Sequence, residues 1–248
     1  MSVNNSRLLQ ALKQRTALKV ISGLNNFDGD RVSAVVRAAQ AGGATFVDIA
    51  ADRQLIQQVR SLIDLPICVS AVDAQLLADA VEAGADLVEI GNFDSFYAQG
   101  RRFEAPEVLA LTQATRQLLP HTTLSVTVPH ILALDEQVQL AEALVEAGAD
   151  IIQTEGGTSS APQHSGILGL IEKAAPTLAA AHAIAHAVSV PVLCASGLSD
   201  VTVPMAIAAG ASGVGVGSAI NQLNDELAMV AAVRRLVDAL VANPVRVA

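Results

Sequence analysis

The sequence predicts an α/β fold: a (β/α)8 TIM barrel, one domain over residues 1–248, with an extra N-terminal helix. Three observations carry this. Four segments repeat one pattern of helix end, glycine and short apolar run: AQAGGATFVDIA (39–50), VEAGADLVEIGN (81–92), VEAGADIIQTEG (145–156) and IAAGASGVGVGS (207–218). Four more short, branched apolar runs lie before and between them. Helical patterns separate all eight runs at roughly 31 residues per unit, the size that closes into such a barrel.

Element by element, a helical pattern over 5–15 comes first, placed to plug or flank the barrel base. Strand one is ALKVIS (17–22), followed by a helix over 29–41. The first repeat copy gives strand two, and a helix over 53–63 follows. PICVSA (66–71) is strand three, with Pro66 leading, where an absent donor does least harm. A helix over 74–83, strand four in the second copy and a helix over 105–118 come next. TLSVTV (123–128) is strand five, then a helix over 134–147, strand six in the third copy and a helix over 175–188. PVLCAS (191–196) is strand seven, a helix spans 200–209, and the fourth copy gives strand eight before a helix over 219–241. Gly42, Gly84, Gly148 and Gly210 are read as the helix stops, because glycine takes the left-handed conformation without a Cβ clash. Runs apolar at successive positions suit strands covered on both faces. Alternation with short connections gives a parallel sheet, with an open doubly wound sheet as the alternative topology.

The chain has 15 basic and 24 acidic side chains, a formal charge of −9, with 52% apolar residues. That acidity argues against nucleic acid as a partner, and the apolar content excludes disorder. Cys68 and Cys194 both sit in apolar runs, which suits a reducing compartment. Stretches 174–199 and 201–224 carry no charge, yet prolines, histidines and glycines divide them into pieces shorter than the roughly 20 apolar residues of a spanning helix. The N-terminus has no apolar signal core. The expectation is a soluble cytoplasmic protein with no membrane partner, whose apolar content points to a subunit interface in a homo-oligomer.

In a barrel the chemistry sits in the loops after the strands. Ser196 and Gly197 follow strand seven, and Gly217 and Ser218 follow strand eight. Such turns let backbone N–H groups approach a phosphate, helped by the helix opening near Ala219. The competing reading is that these glycines only permit close helix–strand packing. Lys19, Asp48, Glu89 and Glu155 are ionisable groups in otherwise apolar strands, where a charge is costly unless paired. Lys19 reads as a proton shuttle or, with a lowered pKa, an imine-forming amine, with Asp48, Glu89 or Glu155 as partner. A plain structural ion pair of Lys19 with Asp48 or Glu89 is the alternative. Five of the six aromatic residues fall in loops (Phe27, Phe93, Phe96, Tyr97, Phe103). With Asn92, Arg101 and Arg102 after strand four, they suit a flat or anionic ligand, or else they cap the mouth or form a dimer contact. The long loop after strand six reads as a mobile cover. For a metal, Asp48, Glu89, His130, Glu155 and His164 would have to converge, and no HxH, HExxH or CxxC spacing supports this, so no metal is assigned. His182 and His186 read as an outer packing or subunit surface, and no GxSxG elbow is present.

KVISGLNNFD (19–28), FVDIAAD (46–52), VEIGNFDSFY (88–97) and QTEGGTSS (153–160) resemble the cyanobacterial and plastid family called hypothetical chloroplast open reading frame twenty-three. The resemblance covers nearly the whole chain and implies a cyanobacterial or algal-plastid setting (plastid stroma for algal relatives), without an established activity. The ending CASGL…AAGASGVGVGSAI is similar to the wider group of phosphate-binding TIM barrels, which includes thiazole synthase, sugar-phosphate epimerases and flavin mononucleotide oxidoreductases. The leading expectation is an isomerase or lyase acting on a small phosphorylated metabolite. A flavin mononucleotide oxidoreductase and a non-catalytic sensor or scaffold barrel are the alternatives, and fold alone does not decide among them.

Overall fold

The computed structural model describes residues 3–97, 99–157 and 160–241. Its parallel strands are β1 (Ala17–Ile21), β2 (Phe46–Ala50), β3 (Ile67–Ala71), β4 (Leu87–Ile90), β5 (Thr123–Thr127), β6 (Ile151–Gln153), β7 (Val192–Ala195) and β8 (Gly213–Val216). Each pairs with the next, and β8 returns to β1 with Lys19 opposite Gly215. That last pairing closes the barrel and removes the open-sheet alternative. Around it run α1 (Val3–Gln14), α2 (Gly29–Gly42), α3 (Arg53–Leu62), α4 (Ala74–Ala83), α5 (Asp94–Tyr97), α6 (Ala105–Leu118), α7 (Leu134–Glu146), α8 (Gly166–Ala187), α9 (Val203–Ala208), α10 (Ser218–Asn221) and α11 (Glu226–Val241).

The repeat has a physical cause at the barrel base. Asp86 Oδ2 accepts from Ile67 N and Asp150 Oδ2 from Leu124 N, both at 2.8 Å, and Thr45 Oγ1 accepts from Leu18 N at 3.0 Å. In three copies the residue two places past the glycine stop therefore satisfies a donor at the start of the neighbouring strand, in its first or second residue. Arg60 and Arg116 bridge the same Asp86 and Asp150 to the carbonyls of Gly84 and Gly148. Gly84, Gly148 and Gly210 are left-handed, with φ of 114°, 101° and 115°. The first copy differs from expectation: Gly43 (φ 90°) is the stop, while Gly42 is the last helical residue, where a Cβ would overlap Val233 of α11.

Outward strand residues such as Val20, Val47, Val69, Val88, Val126 and Val214 are fully buried under the helices. Inward residues change character along the axis. At the base, Ala17, Phe46, Cys68, Leu87, Ile151 and Leu193 meet Leu8 and Leu12 of α1, which stoppers the barrel from below. Above them lies a polar band, Lys19, Asp48, Ser70, Glu89, Ser125 and Gln153, all buried.

Three helices depart from the sequence reading. α8 begins at Gly166 rather than 175 and continues through Pro176, because Glu172 reaches back to Gln163 N (2.7 Å) and His164 N (3.0 Å) and pins its first turns. At 22 residues it is long and apolar enough to cross a membrane, but its buried face (Ala174, Thr177, Ala181, Ile184) packs on the barrel wall. α9 starts three residues late, at Val203, with Pro204 in its first turn, after a Ser199–Thr202 turn. The last helix is split in two, and Asp225 Oδ1 accepts from Ala228 N at 2.8 Å to restart it as α11.

Candidate active site

A cavity of about 420 Å³ opens at the carboxyl ends of β6, β7 and β8. Ser196, Gly197, Gly217 and Ser218 all line it. Ser196 and Gly197 are successive left-handed residues (φ 76° and 74°), and Asn92, also on the wall, has φ 67°. Of the three non-glycine residues with positive φ among the described residues, two thus face this cavity, where stored backbone strain tends to collect. The β6 and β7 loops touch backbone to backbone: a Cβ on Gly197 would stand 2.8 Å from Gly157 Cα. Lys173 of α8 adds an ammonium to the wall, and it takes part in no ion pair among the described residues.

Beside the cradle is a cluster from three loops. Glu155 Oε1 accepts from Tyr97 OH (2.7 Å) and His130 N (3.2 Å), and lies 3.1 Å from His130 Nδ1. Asp94 N donates to Glu155 Oε2 at 3.3 Å, and Ser196 Oγ donates to Asp94 Oδ2 at 3.0 Å. Asp94 Oδ1 lies 3.4 Å from His130 Nδ1 and, though buried, has no hydrogen-bond donor. Burial pushes the Glu155 carboxyl above its usual range, with Asp94 adding to this and the His130 and Tyr97 bonds opposing it. Burial would lower His130, but the carboxylates of Glu155 and Asp94 outweigh it and hold the imidazole above its ordinary value.

Beneath the floor lies the polar band. Lys19 Nζ is 2.7 Å from Glu89 Oε2, 3.0 Å from Asp48 Oδ2 and 3.1 Å from Gln153 Oε1. Asp48 Oδ2 lacks hydrogen-bond geometry, so this contact holds by charge. Ser70 donates to Asp48 Oδ1 (2.6 Å), Ser125 to Glu89 Oε2 (2.7 Å) and Gln153 Nε2 to Glu89 Oε1 (2.7 Å). Burial acts to lower the ammonium, and Asp48 and Glu89 more than reverse it, so Lys19 is held above its usual range. Burial pushes Asp48 up to about 6 against the pull of Lys19. Gln153 and Thr127 belong to both the band and the cavity floor.

The family described as "Protein of unknown function (DUF561)" matches residues 3–246. The chain belongs to this family. "Uncharacterized protein ycf23" of Pyropia yezoensis is 40% identical over 239 residues, covering 96% of this chain and 88% of that one. Its counterpart in Cyanophora paradoxa is 46% identical over 200 residues, 79% of this chain and 80% of that one. Among solved structures, (S)-3-O-geranylgeranylglyceryl phosphate synthase from Thermoplasma acidophilum, in complex with sn-glycerol-1-phosphate, superposes at TM-score 0.64 with 12% identity, over 98% of this chain and all of that one (100%). Thiamine phosphate pyrophosphorylase from Pyrococcus furiosus gives 0.60 with 20% identity, over 92% and 97%. These likenesses show that the chain has the TIM-barrel fold.

Against this geometry several sequence assignments change. Lys19, Asp48 and Glu89 do not line the cavity: they meet one another in the polar band beneath it, where the two carboxylates hold the amine above its usual range. Glu155 does line the cavity, but its partners are Tyr97, His130 and Asp94 rather than Lys19. Asn92 is on the wall, whereas Arg101 and Arg102 are exposed away from it. Arg101 pairs with Glu107 and covers the Phe103 ring at 4.4 Å. Phe93, Phe96 and Phe103 pack on one another and Phe27 is exposed, so among the described residues no phenylalanine ring lines the cavity. His164 pairs with Glu172 and is not part of the Asp94–His130–Glu155 group. The helix expected to present its N-terminus to an anion is the four-residue α10, with little dipole to offer. The loop after β6 supplies Gly157, Ser160 and Pro162 to the wall, and its residues 158 and 159 lie outside the described residues. Asp94 and Lys173 are site residues that sequence reasoning missed. From the sequence, His130 reads only as a candidate metal ligand.

Proposed function

We propose that this protein is an enzyme whose cavity takes a small phosphorylated metabolite, in the isomerase or lyase class. Backbone N–H groups at Ser196, Gly197, Gly217 and Ser218, with the Ser218 hydroxyl and the Lys173 ammonium, bind the phosphate. Asp94, His130 and Glu155 face the reacting end, next to a carbonyl, where a proton moves. Lys19, Asp48 and Glu89 position the floor through Gln153. The observation that carries the reading is the convergence of both glycine bends, Lys173 and the Asp94–Glu155 pair on one cavity. The phosphate named in three structural neighbours, including 3-hexulose-6-phosphate synthase, supports it.

The relatives' plastid origin fits a stromal or cytoplasmic setting. Exposed Ile167, Leu168 and Leu170 at the start of α8 support a homo-oligomer. The test is calorimetric titration and thermal melting with inorganic phosphate, sn-glycerol-1-phosphate and a panel of sugar phosphates. Phosphorylated compounds should bind and raise the melting point, and Lys173→Ala should weaken binding about tenfold. A melting point unmoved by every phosphorylated compound would refute the reading.

A further inference from the structure

We infer that Asp94, His130 and Glu155 form a binding site for one divalent transition-metal ion, of the Zn²⁺ or Mn²⁺ class, at the edge of the cavity. The ligand atoms of the three residues lie within 4.8 Å of one another. His130 Nδ1 stands 3.1 Å from Glu155 Oε1 and 3.4 Å from Asp94 Oδ1. Ligands about 2.1 Å from one ion and about 90–110° apart are separated by about 3.0–3.4 Å, so both edges have the length that a shared ion requires.

A hydrogen-bonded triad without an ion leaves a defect. Nδ1 has one proton to give, and Glu155 Oε1 is the acceptor with hydrogen-bond geometry, so Asp94 Oδ1 is buried with no donor. A buried carboxylate oxygen left bare is costly, and an ion among the three residues removes that cost. The surrounding bonds orient the ligands as outer bonds do at metal centres: Ser196 Oγ holds Asp94 Oδ2, and Tyr97 OH holds Glu155 Oε1. One imidazole with two carboxylates suits Zn²⁺ or Mn²⁺ better than an all-oxygen cation such as Mg²⁺. No spacing motif marks the three ligands, because they follow three different strands, β4, β5 and β6.

Metal binding stands on this geometry alone. That the ion's open positions would polarise a carbonyl or hydroxyl of the bound metabolite rests on the phosphate reading.

The chain supplies its own reporter. Tyr97 is the single tyrosine and there is no tryptophan, so intrinsic emission comes from a ring hydrogen-bonded to Glu155. Chelator-treated protein is titrated with Zn²⁺ and with Co²⁺, without phosphate, following tyrosine emission, visible Co²⁺ absorption and heat. The expected result is one equivalent bound, a Zn²⁺-dependent emission change, quenching by Co²⁺, and affinity reduced at least tenfold in Asp94→Asn and in His130→Gln. The second variant serves if the first does not fold, with circular dichroism checking both. Tyrosine emission indifferent to both metals overturns the proposal. So does binding that survives both variants, or that disappears in His182→Ala, which would place the ion on the exposed His182–His186 pair of α8. Failure of the phosphate titration with intact metal binding would sink only the functional reading, and the reverse pattern only this site.

Discussion

Replacing Lys19 by Met keeps most of the stem and removes the one buried lysine or arginine among the described residues. The side chain is fully buried, and its departure leaves Glu89 and Asp48, formerly 2.7 and 3.0 Å from Nζ, facing each other without a counter-charge. Removing one member of a buried ion pair costs about 3–5 kcal/mol, because the remaining charge is stranded in a poor solvent for it. Urea unfolding followed by circular dichroism at about pH 7 should show a deficit of that size. At about pH 5 the deficit should shrink, since a stranded carboxyl can then take up a proton. Adding Asp48→Asn and Glu89→Gln to Lys19→Met should restore most of the loss. Because Lys19 lies under the cavity floor, phosphate affinity should stay within about threefold of the parent. A deficit under about 1 kcal/mol, or one indifferent to pH, would refute the account of the polar band, and lost phosphate affinity in a well-folded variant would return Lys19 to the site.

Three further outcomes follow from the same geometry. Gly42→Ala drives a methyl into Val233 where α2 meets α11, and should cost about 1–3 kcal/mol by thermal unfolding. Gly197→Ala must hold φ near 74° with its Cβ 2.8 Å from both Gly157 Cα and Lys173 O, so it should lose about 1–3 kcal/mol of stability. It should also lose most of its phosphate binding by calorimetry, whereas Ser61→Ala, on the distant exposed face of α3, should lose neither. The folded Asp48 carboxyl, at about 6, binds its proton more tightly than an unfolded one near 3.8, so its contribution to stability falls as pH rises between those values. Relative to Asp48→Asn, the parent should therefore gain stability as pH is lowered through 6 towards 4, and a stability difference flat across that window would contradict the assignment.

The order of elements was legible because each unit carries its own punctuation. Asp28, Asp52 and Asp73 cap their helices, Gly84, Gly148 and Gly210 stop theirs, and branched runs follow. The inward face was not legible in the same way: with most strands apolar on both faces parity is ambiguous, and it is barrel closure that turns Lys19, Asp48, Glu89 and Gln153 inward. What the residues could not reveal was depth along the axis. A lysine in the middle of β1 and a glutamate just past β6 look alike in one dimension, yet one is sealed and the other meets the cavity. The Asp94–His130–Glu155 cluster was illegible for a different reason. It depends on left-handed turns at Asn92, a type that favours that conformation, and at Ser196, a type that does not announce it, and it unites three loops far apart in sequence. Lys173 was hidden because α8 starts earlier than Pro176 suggests, carrying that ammonium to the mouth.

The seam between β1 and β8 makes the order of synthesis matter. While the ribosome is still extending the chain, the earlier strands can align around a gap that only residues 213–216 will fill. Until then the free flanks of β1 and β7 display bare amides and carbonyls, a template on which another nascent chain can add itself. Assembly is thus all-or-nothing near its end, and a stall or truncation ahead of residue 213 should yield aggregates rather than a smaller working cylinder.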